Sequence, residues 1–337
     1  MQTTMERRPT GGQRDSAFPR AATTQELRDF VRGRGPQELQ LRAVEIRQQE
    51  AKDLASGGFW IAVDGTSARE LFSQATMASP IRRVAQIRET TTSADAPLPT
   101  VGRVAGRRLA ESAALTQTDL TAGRRVSHAS IYVSDSMIFS RQLVQDAEAL
   151  LNQILEEAGV RIGLALDVDL TLGTGVDQPE GVVHGALLGV TAVATGAVSR
   201  ADLLDLEASL PAVFRYAPGT RLMMHPDTLT ELKSIVDGAG RPVLWEPLPD
   251  DPAGTIIGYR VSVNDNMPLM AAATRPIVLA DFSQYLVRDV RGGVRLQRLD
   301  ELYAANLQVG FFALSYHDGM WVHAGNVHPA RALQMAP

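Results

Sequence analysis

The side chains best suited to chemistry are six histidines, and one grouping is dense: His317, Asp318, His323 and His328. Imidazoles beside a carboxylate suggest a metal. Zinc, however, needs three or four ligands with supporting partners, and Asp318-Gly319 reads more simply as a hairpin turn. His225, before Pro226 at the end of the run Arg221–Met224, stands where a hydrolase would carry its base. No G-x-S-x-G segment supplies a nucleophile for it. Asp167 and Asp169 are two apart on a helical stretch and do not share a face. The glycines of Gly173–Gly181 lack phosphate-loop spacing, have no lysine nearby, and follow a helix instead of opening one. The chain has no cysteine, which removes disulfides, thiolate ligands and cysteine nucleophiles together. No catalytic, cofactor-binding or metal residue is assigned, and the expectation is a protein that is not an enzyme.

What the sequence does specify is architecture. Apolar residues at Leu143, Ala147, Leu151, Ile154, Ala158, Ile162 and Ala165 recur at steps of three and four. They predict one helix from about Leu143 to Leu170, roughly 40 Å long. Such a helix needs a partner along its length. A sheet from the end of the chain is expected to supply it, with Leu307–Tyr316 forming a strand that turns at His317–Gly319 into Met320–His323. Gln284–Val290 and Gly293–Arg298 read as a hairpin about Arg291–Gly293, and Thr255–Val263 as a strand pair broken at Gly258. These pieces give an α+β fold closed by distant segments, with a second unit inserted from residue 181 to about 300.

Two stretches cannot stand alone. Residues 1 to about 56 are polar, with weak helical pieces that bury little. From Ile81 to Ser134, two extended polar arms predict a ribbon that is marginal by itself. Eight arginines there (Arg82, Arg83, Arg88, Arg103, Arg107, Arg108, Arg124 and Arg125) face four acids. No aromatic residue interleaves to stack on bases, so the preferred reading is a protrusion lying on a neighbouring subunit. All 33 basic residues except Lys52 and Lys233 are arginine, a skew that suits interfaces but also follows from a GC-rich genome. The net charge of −5 argues against a dedicated nucleic-acid binder. With 45% hydrophobic and 21% charged residues, the 337-residue chain is globular in composition. It has no apolar run of membrane-spanning length and no signal-like start, so a cytoplasmic protein is expected.

The order of small features then carries a resemblance. Gly57-Gly58 precedes a strand, followed by Ser79-Pro80-Ile81-Arg82, the long hairpin and Val133-Ser134 before the long helix. Next come Gly173-x-Gly175, Gln178-Pro179-x-Gly181, Asp202-Leu203-Leu204 and Met224-x-Pro226-x-Thr228-Leu229. Asp237-x-x-Gly240-x-Pro242-Val243-Leu244-Trp245, Ile257-Gly258-Tyr259-Arg260-Val261, Asn266-Met267-Pro268 and Ala280-Asp281-Phe282-Ser283-x-Tyr285 continue it, and Gly310-Phe311 through Asp318-Gly319 close it. This sequence resembles the major capsid protein of tailed bacteriophages, a fold shared with encapsulins, over about residues 25–335.

The resemblance implies an N-terminal arm (1–58) and a peripheral domain (59–85, 131–180 and 303–337) with a spine helix at about 143–170. It also implies an extended loop (86–130) and an axial domain (181–302). It implies pentamers and hexamers tiling an icosahedral shell around double-stranded DNA, contacted non-specifically. The arginines at 82, 83, 88, 103, 107, 108, 124 and 125 would make inter-subunit contacts. Implied partners are further copies of the chain, a separate scaffolding protein, a portal and possible decoration proteins, with no membrane and no cofactor. The implied location is the virion, assembled in a bacterial cytoplasm. Encapsulin-like or gene-transfer-particle shells share the fold, and a soluble α+β hydrolase using His225 is the distant alternative. Some family members cross-link by a lysine–asparagine bond. The hairpin here has no lysine, and Ala313 occupies the place for the carboxylate near Asn306, so no cross-link is expected.

Overall fold

The computed structural model describes residues 58–62, 65–101, 122–146, 150–235, 242–323 and 327–337. The expected arm up to Gly57 and the ribbon residues 102–121 lie outside them.

Among the described residues, four helices lead up to and include the longest element: α1 (Gly65–Ala78), α2 (Pro80–Val84), α3 (Arg141–Asp146) and α4 (Leu150–Leu172). Helix α4 buries Leu150, Leu151, Ile154, Leu155, Ala158, Ile162, Leu166 and Leu170. Burying each leucine or isoleucine contributes about 1.5–3 kcal/mol relative to exposure. Its closest neighbour is α1, and the approach depends on two glycines. A Cβ on Gly163 would stand 2.7 Å from the Ala75 Cα, and one on Gly159 would stand 2.6 Å from the Leu71 carbonyl oxygen.

The expected span and face of this helix need correcting. A separate α3 precedes it, Leu143 is 45% exposed and Ala165 is exposed. Steps of four from Ala158 carry the buried row through Ile162 and Leu166 to Leu170, which leaves Ala165 on the outer side.

Strands along the chain are β1 (Gly58–Ala62), β2 (Gln86–Thr90), β3 (Ala96–Val101), β4 (Ala122–Ser127), β5 (Ser130–Val133), β6 (Met137–Ser140), β7 (Leu187–Thr191) and β8 (Thr220–Met224). They continue as β9 (Trp245–Leu248), β10 (Asp251–Ile256), β11 (Tyr259–Val263), β12 (Ile277–Asp281), β13 (Tyr285–Val290), β14 (Arg295–Leu299), β15 (Gln308–Trp321) and β16 (Ala330–Gln334). Helices α5 (Val182–Gly185), α6 (Arg200–Ser209), α7 (Ala212–Arg215) and α8 (Pro226–Lys233) fall between them.

The first sheet is organised on β15. One edge pairs with β6 at Gln308–Phe311 and β5 at Leu314–His317. The other pairs with β14 at Gly310–Leu314 and β13 at His317–Trp321. Two sequence expectations fail here for the same reason. His317-Asp318-Gly319 is not a turn, because flanking strands hold the backbone extended through it. Gly319 is required by close approach: a Cβ there would stand 2.3 Å from Leu170 Cδ2 and 2.7 Å from the Tyr285 hydroxyl. Nor do β13 and β14 form a hairpin, since they follow one another along a single edge of β15.

The second sheet runs β7-β16-β12-β8-β11-β10-β9. Its β10–β11 turn has positive φ at Ile257 (46°) and Gly258 (81°), the paired left-handed residues of a tight hairpin. The inserted unit expected at 181–302 does not coincide with the second sheet. Strands β13 and β14 (285–299) leave it to complete the β15 sheet, where Val287 and Leu296 join the core that includes the α4 leucines. Strand β16 enters it, pairing with β12 and β7 and burying Leu333 and Met335 in its separate core. Among the described residues, strands β3 and β4 pair only with each other, as a two-stranded ribbon.

Candidate assembly surfaces

The histidines resolve first. His225 is the N-cap of α8: its Nδ1 accepts the Asp227 amide hydrogen at 3.1 Å, which orients the ring along its own helix. His317 is fully buried. It donates from Nδ1 to Asp289 Oδ1 at 2.7 Å, and its Nε2 meets Ser315 Oγ at 2.8 Å. Burial lowers its pKa, against the raising effect of Asp289. His323 and His328 lie with ring centroids 4.2 Å apart, and no group of three metal-ligating side chains occurs among the described residues.

Of the expected contact arginines, Arg82 is a correction. It is 2% exposed and forks onto Asp289, with both nitrogen–oxygen distances 2.7 Å. Burial would raise the Asp289 pKa, but the charge and hydrogen bonds of Arg82, helped by His317, hold it well below the usual carboxylate range. Arg82 therefore ties α2 to β13 within one chain and offers no surface to another. Sequence could show its charge but not its depth, because the partner lies 207 positions away. Arg125 is also engaged, with Glu180 at 2.9 Å and the Trp321 carbonyl at 2.9 Å. Arg83 and Arg88 are exposed. Arg103, Arg107 and Arg108 lie outside the described residues; Arg124 is placed on β4 by its backbone.

Arg288, which the sequence reading passes over, and Asp318, which it takes for a candidate metal ligand or a turn residue, both hold the root of the ribbon. Arg288 donates to the carbonyls of Thr92 (2.8 Å), Ala94 (2.7 Å) and Ser127 (3.0 Å), and to Thr90 Oγ1 (3.1 Å). One buried guanidinium thus grips the chain on both sides of the ribbon. Asp318 accepts from Ser127 Oγ at 2.6 Å and from the Gly319 amide at 2.8 Å. Burial raises its pKa to about 6, against the lowering effects of those bonds, Arg288 and His128.

This shift has a sign. The folded chain takes up a proton on Asp318 from about pH 6, the unfolded chain only near 3.8. The ionised carboxylate at neutral pH therefore costs stability, and acidification removes the cost. Asp318→Asn is expected to stabilise the chain at pH 7.5 by about 1–3 kcal/mol, shrinking toward zero near pH 4. Urea unfolding at the two pH values measures this.

The outer side of α4 carries Leu164 (54% exposed), Val168 (44%) and Leu172 (45%) in one row of steps of four. Strands β5 and β6 expose Ile131, Val133 and Ile138. Apolar rows, and a ribbon that pairs with no other described strand, suit contact with other chains more than turnover of a small molecule.

The arrangement is that of a shell-building α+β subunit: two sheets, one long helix across the core, and a polar ribbon held at its root. The chain belongs to the phage capsid family, whose model matches residues 58–330. Among solved structures it is similar to the capsid of a native GTA particle, at 20% identity over 77% of this chain and 91% of that one, with a TM-score of 0.61. A chain of Mycobacterium phage Bobi is similar at 17% identity, over 77% and 91% of the two chains, with a TM-score of 0.55. One of Microbacterium phage Oxtober96 follows at 13% identity, over 76% and 91%, with a TM-score of 0.56. At these identities the likeness is one of fold. No curated protein matches the chain. The α+β class and the shell-forming role expected from the sequence stand.

Proposed function

We propose that this chain assembles as pentamers and hexamers into an icosahedral shell enclosing double-stranded DNA, built in a bacterial cytoplasm and carried in the virion. The observation that carries the reading is the ribbon. Its strands pair with nothing else in the described chain, yet Arg288, Asp318 and Arg125 fix its root to the body. A two-stranded ribbon of this size gains little by itself and has reason to be held only if its far end meets another copy. Head-to-tail contacts of this kind close into rings, and many modest contacts then act together.

Within the subunit, the β15 sheet with α4 corresponds to a peripheral domain and the β12 sheet to an axial domain, with membership amended at 285–299 and 330–334. A scaffolding protein, a portal and decoration proteins complete the set of partners. Arg83, Arg88, Arg103, Arg107, Arg108 and Arg124 are the remaining candidates for inter-subunit contact. A gene-transfer particle is the second reading, since capsids of GTA particles are among the similar structures.

Removing residues 102–121, with a short turn joining β3 to β4, should leave the chain folded but unable to form shells. Sizing and negative-stain microscopy check this, with circular dichroism as the folding control. Normal shells from the shortened chain would remove the ribbon from the account.

A further inference from the structure

We propose that the ribbon root is a proton-operated latch: Arg288 grips the root mechanically, and ionisation of Asp318 biases it toward release. The geometry is that of a hinge closed by polar bonds. Three carbonyl oxygens and two hydroxyls, from Thr90, Thr92, Ala94 and Ser127, are gathered by one guanidinium and one carboxylate standing on β13 and β15. These strands are rigid, because β13 is buried along its whole length and β15 is paired on both edges. Beside the root lies a cleft of about 480 Å³ lined by Arg125, His128, Asp177, Glu180 and Asp318, which gives Asp318 a route to water once the root lifts.

The charged and titratable neighbours of Asp318 come from every packed element. Arg288 on β13 and His128 after β4 favour its ionised form. Glu180 is tied to Arg125, and Asp95 to His128 at 2.9 Å. Tyr132 on β5 and Tyr285 on β13 stay protonated, both raised chiefly by burial.

The direction follows from linkage. A carboxyl that holds its proton more tightly when the root is closed makes protonation favour the closed form. Its pKa of about 6 in the closed root compares with 3.8 for a free side chain. Opening should therefore be about tenfold more favourable at pH 7.5 than at pH 5. The latch tightens in mild acid and loosens toward neutrality, whatever the far end of the ribbon touches.

The test is hydrogen–deuterium exchange of amides in residues 92–98 and 122–127 of the full chain, corrected for intrinsic exchange. It is run at pH 5 and 7.5, where sizing shows one assembly state. Wild type should open about tenfold more at pH 7.5. Asp318→Asn should show one level of protection at both values, at least as high as the wild type at pH 5, and His128→Gln should keep the wild-type dependence. Arg288→Met should open the root at both values. Equal protection of the wild type at the two pH values, a dependence that survives Asp318→Asn, or its loss in His128→Gln would overturn the role of Asp318. Unchanged exchange in Arg288→Met would overturn the grip.

Discussion

Replacing Arg82 with alanine is expected to destabilise the chain by about 3–5 kcal/mol, the range for breaking a buried ion pair from one side. The substitution leaves the Asp289 carboxylate, 1% exposed, with His317 as its remaining side-chain partner in a site built around a guanidinium. The Asp289 carboxyl must then either stay charged without its fork or take up a proton, and each alternative favours the unfolded chain. The same bond joins α2 to β13, so the loss reaches from α1 to the first sheet. Denaturant unfolding at pH 7 measures it, and a loss below about 1 kcal/mol would show that Arg82 is not the counter-ion described.

Replacing Gly163 with leucine should cost about 3 kcal/mol, near the upper end for overpacking, and should abolish shell formation. The obstacle is backbone: the new Cβ would lie 2.7 Å from both Ala75 Cα and its carbonyl oxygen, and 3.0 Å from Ala78 Cβ. Side-chain rotation cannot relieve that, so α1 and α4 must part. The Leu71 and Ile162 layer between them would then lose its close packing. Thermal unfolding and microscopy on the same preparation would test this. A variant of unchanged stability that still builds shells would mean the two helices are not pressed together as described.

Part of this structure was legible in the sequence because its information is local. The Leu151–Ile154–Ala158–Ile162 face of α4 follows from periodicity, and the Ile257-Gly258 turn from the need for left-handed residues between two strands. The extended residues on both sides of the ribbon likewise pair as Ala96–Val101 with Ala122–Ser127. What was misread depends on partners far along the chain. Asp318-Gly319 has the composition of a turn, yet Gly319 is small because Leu170 and Tyr285 crowd it. Asp167 reads in the sequence only as a helix acid that does not share a face with Asp169; it accepts from Ser79 Oγ at 2.5 Å and Asn266 Nδ2 at 2.7 Å, and fastens α4 to two other segments. Arg82 looked like a surface arginine for the same reason. A charged side chain carries no local sign of depth, and its burial is decided by whether a counter-charge arrives from elsewhere.

The most direct test of the central claim is the mass and shape of the purified full-length chain as its concentration is raised, by light scattering with negative-stain microscopy. Closed, uniform shells of megadalton mass are the predicted result. A chain that stays monomeric or dimeric at every concentration, with the β3–β4 amides already fully protected from exchange, would contradict it.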